Sequence, residues 1–160
     1  MDMTTKPAEP VFSYERFQKA APAARAALLA MGKAVDDSGL EKTLTELVKI
    51  RVSQINGCAF CIRFHLDLAR RIGIDTVKLD LVAAWRDAGI YSARELAALD
   101  WAEQVTKLAD HHWGESAYAA LHEHFSIGEV LNLTVAIANI NAWNRIAGAL
   151  HFPLPAELRG

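Results

Sequence analysis

The stretch ELVKIRVSQINGCAFCIRFHLDLAR, from Glu46 to Arg70, decides the fold. Its apolar residues recur every three or four positions on both sides of Asn56-Gly57, which predicts two helices joined by a tight turn. Helices joined by so short a turn run antiparallel to each other. We therefore expect a central antiparallel helix pair, with Cys58 at the start of its second helix.

The rest of the chain also predicts helices. No proline lies between positions 23 and 152, and no run of residues alternates between apolar and polar as a half-buried strand would. Apolar residues make up 52% of the chain and charged residues 22%, which is an ordinary globular composition. We predict an all-α protein whose 160 residues form a single domain, 1–160.

Start and stop signals divide the chain into helices. The capping pairs Ser38–Glu41, Ser92–Glu95 and Ser126–Glu129 each predict a helix start. The other predicted helices are a short one at SYERF, one from Pro22 to about Gly39, one from about Cys58 to Gly73, one from Thr76 to Ala88, and one from Ala117 to Phe125. The last helix, which reaches about Leu150, is apolar almost all round, so we expect it in the core or in a subunit interface.

Charge and hydropathy exclude several classes of function. The formal net charge is −2, which predicts no binding of nucleic acid or anionic lipid. The longest uncharged run, Val130 to Asn144, is too short and too polar to span a membrane. The N-terminal MDMTTKPAEPVF lacks the apolar segment of a secretory signal, so we expect a cytoplasmic protein. In that reducing compartment a C-x-x-C pair is more often catalytic or metal-binding than a structural disulfide.

Cys58, Cys61 and His65 are spaced to share one face of the second helix of the pair. At a helix N-terminus the free backbone N–H groups favour a thiolate on Cys58. An irregular first turn would bring the two Cα atoms about 5.5 Å apart, which suits a disulfide.

Glu46 completes this group across the turn. An antiparallel pair places it opposite position 67, where it can reach toward His65 and Cys61. Burial there would raise the pKa of the Glu46 carboxyl and make it a candidate general base. Glu46 and His65 could then take the proton from Cys61, whose thiolate would attack an O–O bond or a disulfide, and Cys58 would resolve the product as a disulfide.

Each of these residues also has a simpler interpretation. The cysteines could be buried core residues, or they could bind zinc together with Glu46 and His65. Glu46 could instead lie at the surface as the third residue of a helix capped by Thr43, and His65 could be a hydrogen-bonded core histidine.

Other candidate residues most simply have structural roles. We expect His111-His112 and the cluster His122-Glu123-His124 to be solvated rather than metal-binding. The four tryptophans at helical spacing are expected in the core or an interface; they are Trp85, Trp101, Trp113 and Trp143. Whether Asn141, Asn144 and Arg145 line the site or a subunit contact is open at this point.

The spacing of Glu46, Cys58, Cys61 and His65 resembles the signature of the AhpD-like alkylhydroperoxidases, which belong to the carboxymuconolactone decarboxylase superfamily. The flanking residues of the helix pair agree, and AWR at 84–86 and INAWNRIA at 140–147 are similar to one subfamily. The resemblance covers about residues 40–150.

The resemblance implies an all-α protein that assembles as a trimer or hexamer and reduces hydroperoxides without a cofactor or metal. It implies that Cys61 is the peroxidatic cysteine, Cys58 the resolving one, and Glu46 with His65 the proton relay. The implied partners are a hydroperoxide and a thiol or dithiol reductant that the sequence does not identify; a thiol–disulfide exchanger or redox sensor is the alternative. Phe60 stands where the best-known members carry a relay histidine. The decarboxylase branch lacks the cysteine pair, so lactone decarboxylation is disfavoured.

Overall fold

A computed structural model describes residues 11–110 and 115–158 of the chain. These residues form α-helices and short 3₁₀ turns and contain no strand, which confirms the predicted all-α class. The α-helices are α1 Tyr14–Ala20, α2 Pro22–Asp37, α3 Lys42–Ile55, α4 Ala59–Arg71, α5 Thr76–Leu81, α6 Trp85–Ala88, α7 Ala93–Thr106, α8 Glu115–His124 and α9 Ile127–Ala149. The predictions for His111, His112 and Trp113 lie outside the described residues.

The central helix pair is formed by α3 and α4, as the sequence predicted. Gly57 has a φ of 66°, a left-handed conformation that glycine adopts without strain, and it turns the chain between the two helices. Cys58 is the N-cap of α4 and its sulfur accepts the backbone N–H of Cys61. Gly73, with a φ of 82°, follows the end of α4 in the predicted position.

Two of the three predicted capping boxes are present. The side chains of Ser92 and Ser126 cap α7 and α9, each with the glutamate three residues later. The box at Ser38 was predicted wrongly, because the Ser38 hydroxyl donates to the Val35 carbonyl at the end of α2 instead. The predicted partner, Glu41, accepts from the guanidinium of Arg94 on α7 rather than from a cap.

The predicted helix over 76–88 is interrupted. It consists of α5, a 3₁₀ turn at Val82–Ala84, and α6. In a 3₁₀ turn, side chains three residues apart lie on one side. Leu79, Val82 and Trp85 follow that spacing and are all buried. Packing of these side chains in the core therefore favours a 3₁₀ turn here over a continuous α-helix.

Helix α9 crosses the middle of the molecule and packs against α2, α3, α4 and α7. Its inner face is fully buried at Leu133 and Ile137, whereas Ile127 and Leu131 on its outer face are exposed. It therefore combines a core face with an unpartnered apolar face. No helix in the described ranges is long and apolar enough to cross a membrane.

Candidate active site

The two cysteines are paired as a disulfide between the N-cap and the first turn of α4. Their Cα atoms are 5.4 Å apart, close to the separation expected for an irregular first turn. Cys58 is 2% exposed and Cys61 4% exposed, so both sulfurs are shielded from bulk solvent. The predicted closeness of the two sulfurs is confirmed.

The two cysteines have different surroundings, although the sequence predicted that they would face the same way. Both cysteines belong to one apolar cluster with Ala147 and Phe152, but Cys61 also lines a cavity and Cys58 does not. Cys58 has extended backbone angles, with φ −87° and ψ 94°, so the helical spacing does not apply to it. Gly148 lies beside it, and a Cβ there would be 3.7 Å from the Cβ of Cys58.

The cavity has a volume of about 420 Å³ and lies between α2, α3, α4 and α9. Three of the four predicted site residues, Glu46, Cys61 and His65, belong to its wall. Most of the remaining wall is aromatic or aliphatic: Tyr14, Leu28, Leu29, Phe60, Phe64, Leu68, Ile140 and Trp143. The cavity therefore offers one sulfur and one acid–histidine pair in mostly apolar surroundings, and its other charged lining residues are Lys33, Asp36, Lys42 and Lys49.

Glu46 and His65 form a direct hydrogen bond. Nδ1 of His65 lies 2.7 Å from Oε2 of Glu46, and the carboxyl group is fully buried. The other oxygen, Oε1, accepts from Lys49 at 2.9 Å and lies 3.3 Å from Nζ of Lys42. The alternative in which Thr43 caps the helix and leaves Glu46 at the surface is therefore wrong.

The prediction that burial would raise the pKa of the Glu46 carboxyl is also wrong. Burial raises this pKa, but the hydrogen bond from His65 and the charge of Lys49 outweigh burial and lower the pKa from 4.5 to about 2. Glu46 is therefore a carboxylate at neutral pH and a poor general base. Because a carboxylate only accepts hydrogen bonds, His65 donates to it through Nδ1, and Nε2 is the ring nitrogen left for proton exchange.

Sequence reasoning missed Lys42 and Lys49, which counter the effect of burial on Glu46. They lie four residues before and three residues after Glu46 on α3, and this spacing places side chains next to each other on a helix. That signal was present in the sequence. The contribution of Leu28 and Leu29 to the cavity had no such signal, because it depends on how α2 packs.

Asn141, Asn144 and Arg145, which the sequence left undecided, lie beside the turn rather than in the cavity wall. Asn56 donates to the side-chain oxygens of Asn141 and Asn144, at 3.0 and 2.9 Å. Asn144 in turn donates to the hydroxyl of Ser53, and Arg145 donates to Asn141. This network fastens the turn before Cys58 to α9.

Phe60 occupies the cavity wall beside Cys61. Its ring stacks on Tyr14 with centroids 6.0 Å apart and meets the edge of Phe152 at 5.6 Å. It thus connects α1 and the C-terminal segment to the disulfide. It contributes apolar surface where the best-known AhpD proteins have a histidine.

Within the part of the chain that the structure describes, no group of three or more His, Cys, Asp or Glu side chains is arranged to hold a metal ion. The zinc alternative thus finds no ligand set there. His122 and Glu123 are exposed near the end of α8, as expected for a solvated helix end.

Fold and site together define an all-helical protein with a buried C-x-x-C disulfide beside a glutamate–histidine pair. The chain belongs to the carboxymuconolactone decarboxylase family, whose profile matches residues 22–104, and it is an AhpD-like member. It is 35% identical over 134 residues to the uncharacterized protein YdfG of Bacillus subtilis (strain 168), and the match covers 84% of this chain and 91% of YdfG.

Two of the solved structures that are similar to this chain come from bacteria. One is a protein of unknown function from Agrobacterium tumefaciens with a suggested AhpD role in antioxidant defence; it is 39% identical, with a TM-score of 0.82, and 87% of this chain and 97% of that chain are covered. The other is an uncharacterized peroxidase-related protein with an alkylhydroperoxidase AhpD core from Ralstonia eutropha JMP134. It is 28% identical, with a TM-score of 0.76, and the match covers 88% of this chain and 75% of that one.

Proposed function

We propose that the protein is a thiol peroxidase that reduces organic hydroperoxides through Cys61 and Cys58. The observation that carries the proposal is that Cys61, already paired with Cys58, shares one apolar cavity with the hydrogen-bonded pair Glu46–His65. The AhpD-like relatives and the peroxidase-related structure support the same reaction. No cofactor or metal is part of the proposal.

In the reduced protein, Nε2 of His65 takes the proton from the Cys61 thiol, and Glu46 stabilises the charged ring. The thiolate attacks the terminal oxygen of the hydroperoxide and the O–O bond breaks. The leaving alkoxide takes the proton from His65 and departs as an alcohol, and Cys61 becomes a sulfenic acid. The Cys58 thiol then attacks that sulfur, water leaves, and the disulfide forms. A thiol or dithiol donor supplies two electrons to restore both thiols.

The proposal is tested by counting thiols after addition of one equivalent of cumene hydroperoxide to the reduced protein. The wild type should lose two titratable thiols and form an intramolecular disulfide. Cys61→Ser should consume no peroxide, and Cys58→Ser should accumulate a sulfenic acid that dimedone traps. Equal consumption by wild type and Cys61→Ser would overturn the proposal.

A thiol–disulfide exchanger or redox sensor is the second candidate, because the same disulfide could accept electrons without any peroxide. The two chemistries separate when the reduced protein is mixed in turn with a hydroperoxide and with a small aliphatic disulfide. A faster reaction with the disulfide, and none with hydroperoxide, would favour the exchanger.

We further propose that the protein forms a homo-oligomer, a trimer or hexamer, through the outer face of α9. Ile127, Leu131 and Val135 lie four residues apart on this face and are 72%, 63% and 37% exposed. A second copy would cover this stripe. Light scattering after size-exclusion chromatography should give the oligomer mass for the wild type and a smaller mass for Leu131→Glu. A monomeric wild type would contradict the proposal.

A further inference from the structure

Asn144 on α9 is bonded to the turn that precedes Cys58. It is 4% exposed. Its Nδ2 donates to the hydroxyl of Ser53 at 3.0 Å, and its Oδ1 accepts from Nδ2 of Asn56 at 2.9 Å. Ser53 lies in the last turn of α3 and Asn56 is the C-cap of that helix. Both ends of the Asn144 amide are therefore used to hold the turn between α3 and α4.

The other asparagines of α9 make different contacts. Asn132 donates to a backbone carbonyl of its own helix. Asn139, in the cavity wall, donates to a backbone carbonyl on α2. Asn141 also accepts from Asn56, but it is only half-buried. Asn144 is thus the asparagine of α9 that is both buried and bonded to this turn.

The turn that Asn144 holds also fixes the backbone of Cys58. The N–H of Cys58 donates to the carbonyl oxygen of Ser53 at 3.1 Å, so the residue whose hydroxyl binds Asn144 also anchors Cys58. Cys58 has the extended conformation of an N-cap, outside the helix that contains Cys61. A change in the backbone angles of Cys58 would therefore move its sulfur relative to that of Cys61.

A second contact from α9 meets the side chain of Cys58 directly. Gly148 lies four residues after Asn144, which places the two on the same face of the helix. A Cβ added at Gly148 would be 3.7 Å from the Cβ of Cys58 and 4.0 Å from its Sγ. The backbone of α9 therefore lies against Cys58, and none of these contacts involves the bond between the two sulfurs.

We propose that Asn144 is a positioning residue that holds Cys58 beside Cys61 while the disulfide is open. This inference rests on the proposed function for the step that closes the disulfide. In that step the Cys58 thiol attacks the sulfur of the Cys61 sulfenic acid, the S–S bond forms, the S–O bond breaks, and the hydroxyl group leaves as water with the thiol proton. Fixing the attacking sulfur near its target raises its effective concentration and accelerates the intramolecular reaction.

The test separates the closing step from the earlier attack on peroxide. Reduced protein is mixed with one equivalent of cumene hydroperoxide in the presence of dimedone. Each Cys61 sulfenic acid then either forms the disulfide or is trapped, so the ratio of disulfide to dimedone adduct, measured by mass spectrometry, reports the closing rate. The initial rate of peroxide loss reports the attack by Cys61. Cys58→Ser protein with and without Asn144→Ala gives the trapping rate itself, because closing is impossible there.

Asn144→Ala should lower the corrected ratio about tenfold, since the turn loses two buried hydrogen bonds. The rate of attack on peroxide should stay within about twofold of the wild type. Ser53→Ala removes one of the two partners and should lower the ratio in the same direction. The double variant should be no worse than Asn144→Ala, because both changes remove the same contact. Asn132→Ala is the matched control and should leave the ratio unchanged.

A second measurement needs no peroxide. The equilibrium constant for oxidation of the pair by glutathione disulfide reports the effective concentration of the two thiols, and Asn144→Ala should lower it by the same factor as the ratio. A residue that merely supports the fold would weaken the oxidised and reduced states equally and leave this constant unchanged.

The outcomes distinguish this inference from the proposed function. An unchanged ratio and constant in Asn144→Ala, or an equal fall in the rates of attack and closing, would overturn the role of Asn144. If Asn144→Ala does not fold, Ser53→Ala decides by the same two measurements. Wild type that consumes no peroxide would reject the proposed function, and the glutathione equilibrium would then still support or overturn the positioning of Cys58 by Asn144.

Discussion

Among the residues that the structure describes, two glutamates are buried, and they have the same ionisation state but different surroundings. Glu103 on α7 accepts from Arg51 at 2.7 Å, from the Trp85 ring N–H at 2.9 Å and from Arg86 at 2.6 Å. Burial raises the pKa of Glu103, but the hydrogen bonds from Arg86, Trp85 and Arg51 outweigh it and lower the pKa to about 2. Glu46 has a pKa of about 2 for the same kind of reason.

The difference lies in the donors and in access to a cavity. Arginine does not give up its proton in proteins, so the Glu103 cluster can only bind α3, α6 and α7 together. Glu46 instead holds a histidine, which can take and return a proton, and both residues line the cavity that contains Cys61. A strongly shifted pKa therefore does not by itself mark a catalytic site; a transferable proton beside a cavity does.

Activity should separate the two glutamates most sharply. Glu46→Gln removes the carboxylate that stabilises the charged His65 ring, so kcat/KM for cumene hydroperoxide should fall about 100- to 1000-fold. Glu103→Gln should leave kcat/KM within about twofold, once rates are corrected for the folded fraction. Steady-state peroxide consumption with dithiothreitol as reductant measures both. Equal losses in the two variants would contradict the division of roles.

The two glutamates should contribute similarly to the free energy of unfolding. Each glutamine substitution leaves one largely buried cation, Lys49 or Arg51, without its carboxylate, which costs on the order of 3 kcal/mol of unfolding free energy. Urea denaturation of the reduced proteins should therefore show similar shifts for Glu46→Gln and Glu103→Gln. A loss confined to one variant would mean that only that glutamate supports the fold.

Acid should lower the free energy of unfolding by protonating both Glu46 and Glu103. Both glutamates have folded pKa values lowered from 4.5 to about 2, so their contribution to stability is complete above pH 5 and is lost as the pH falls toward 2. Each group should lose roughly 2 kcal/mol between pH 5 and pH 3, at about 1.4 kcal/mol per pKa unit. Urea titrations across this range should give a shallower pH dependence for each glutamine variant than for the wild type.

The smallest effect is expected at the edge of the Glu103 cluster. The Arg86 guanidinium bridges Glu103 and Asp100, and its side chain is 55% exposed. A lysine can reach one of the two carboxylates, so Arg86→Lys should cost about 0.5 to 1 kcal/mol of unfolding free energy. Peroxide consumption should not change. A loss of activity would connect this cluster to the cavity.

Local signals in the sequence determined most of the helices. Ser92 and Ser126, each followed three residues later by glutamate, marked true helix starts because a capping box involves only neighbouring residues. The prediction failed at Ser38, where the same pattern belongs to the end of α2. It failed again at 82–84, where buried packing replaced a continuous helix by a 3₁₀ turn.

By itself, the sequence determined the family, the antiparallel pair α3–α4, and the closeness of Glu46 to His65, because one short turn fixes the register of two helices. Only the tertiary structure decided the charge of Glu46, the separation of Cys58 from the cavity, and the place of Asn139 in its wall. The physical reason is that ionisation and access depend on the balance between burial and neighbouring groups. His65 on α4 and Lys49 on α3 set the charge of Glu46, and the rest of the cavity wall comes largely from α2 and α9, which lie outside the central helix pair.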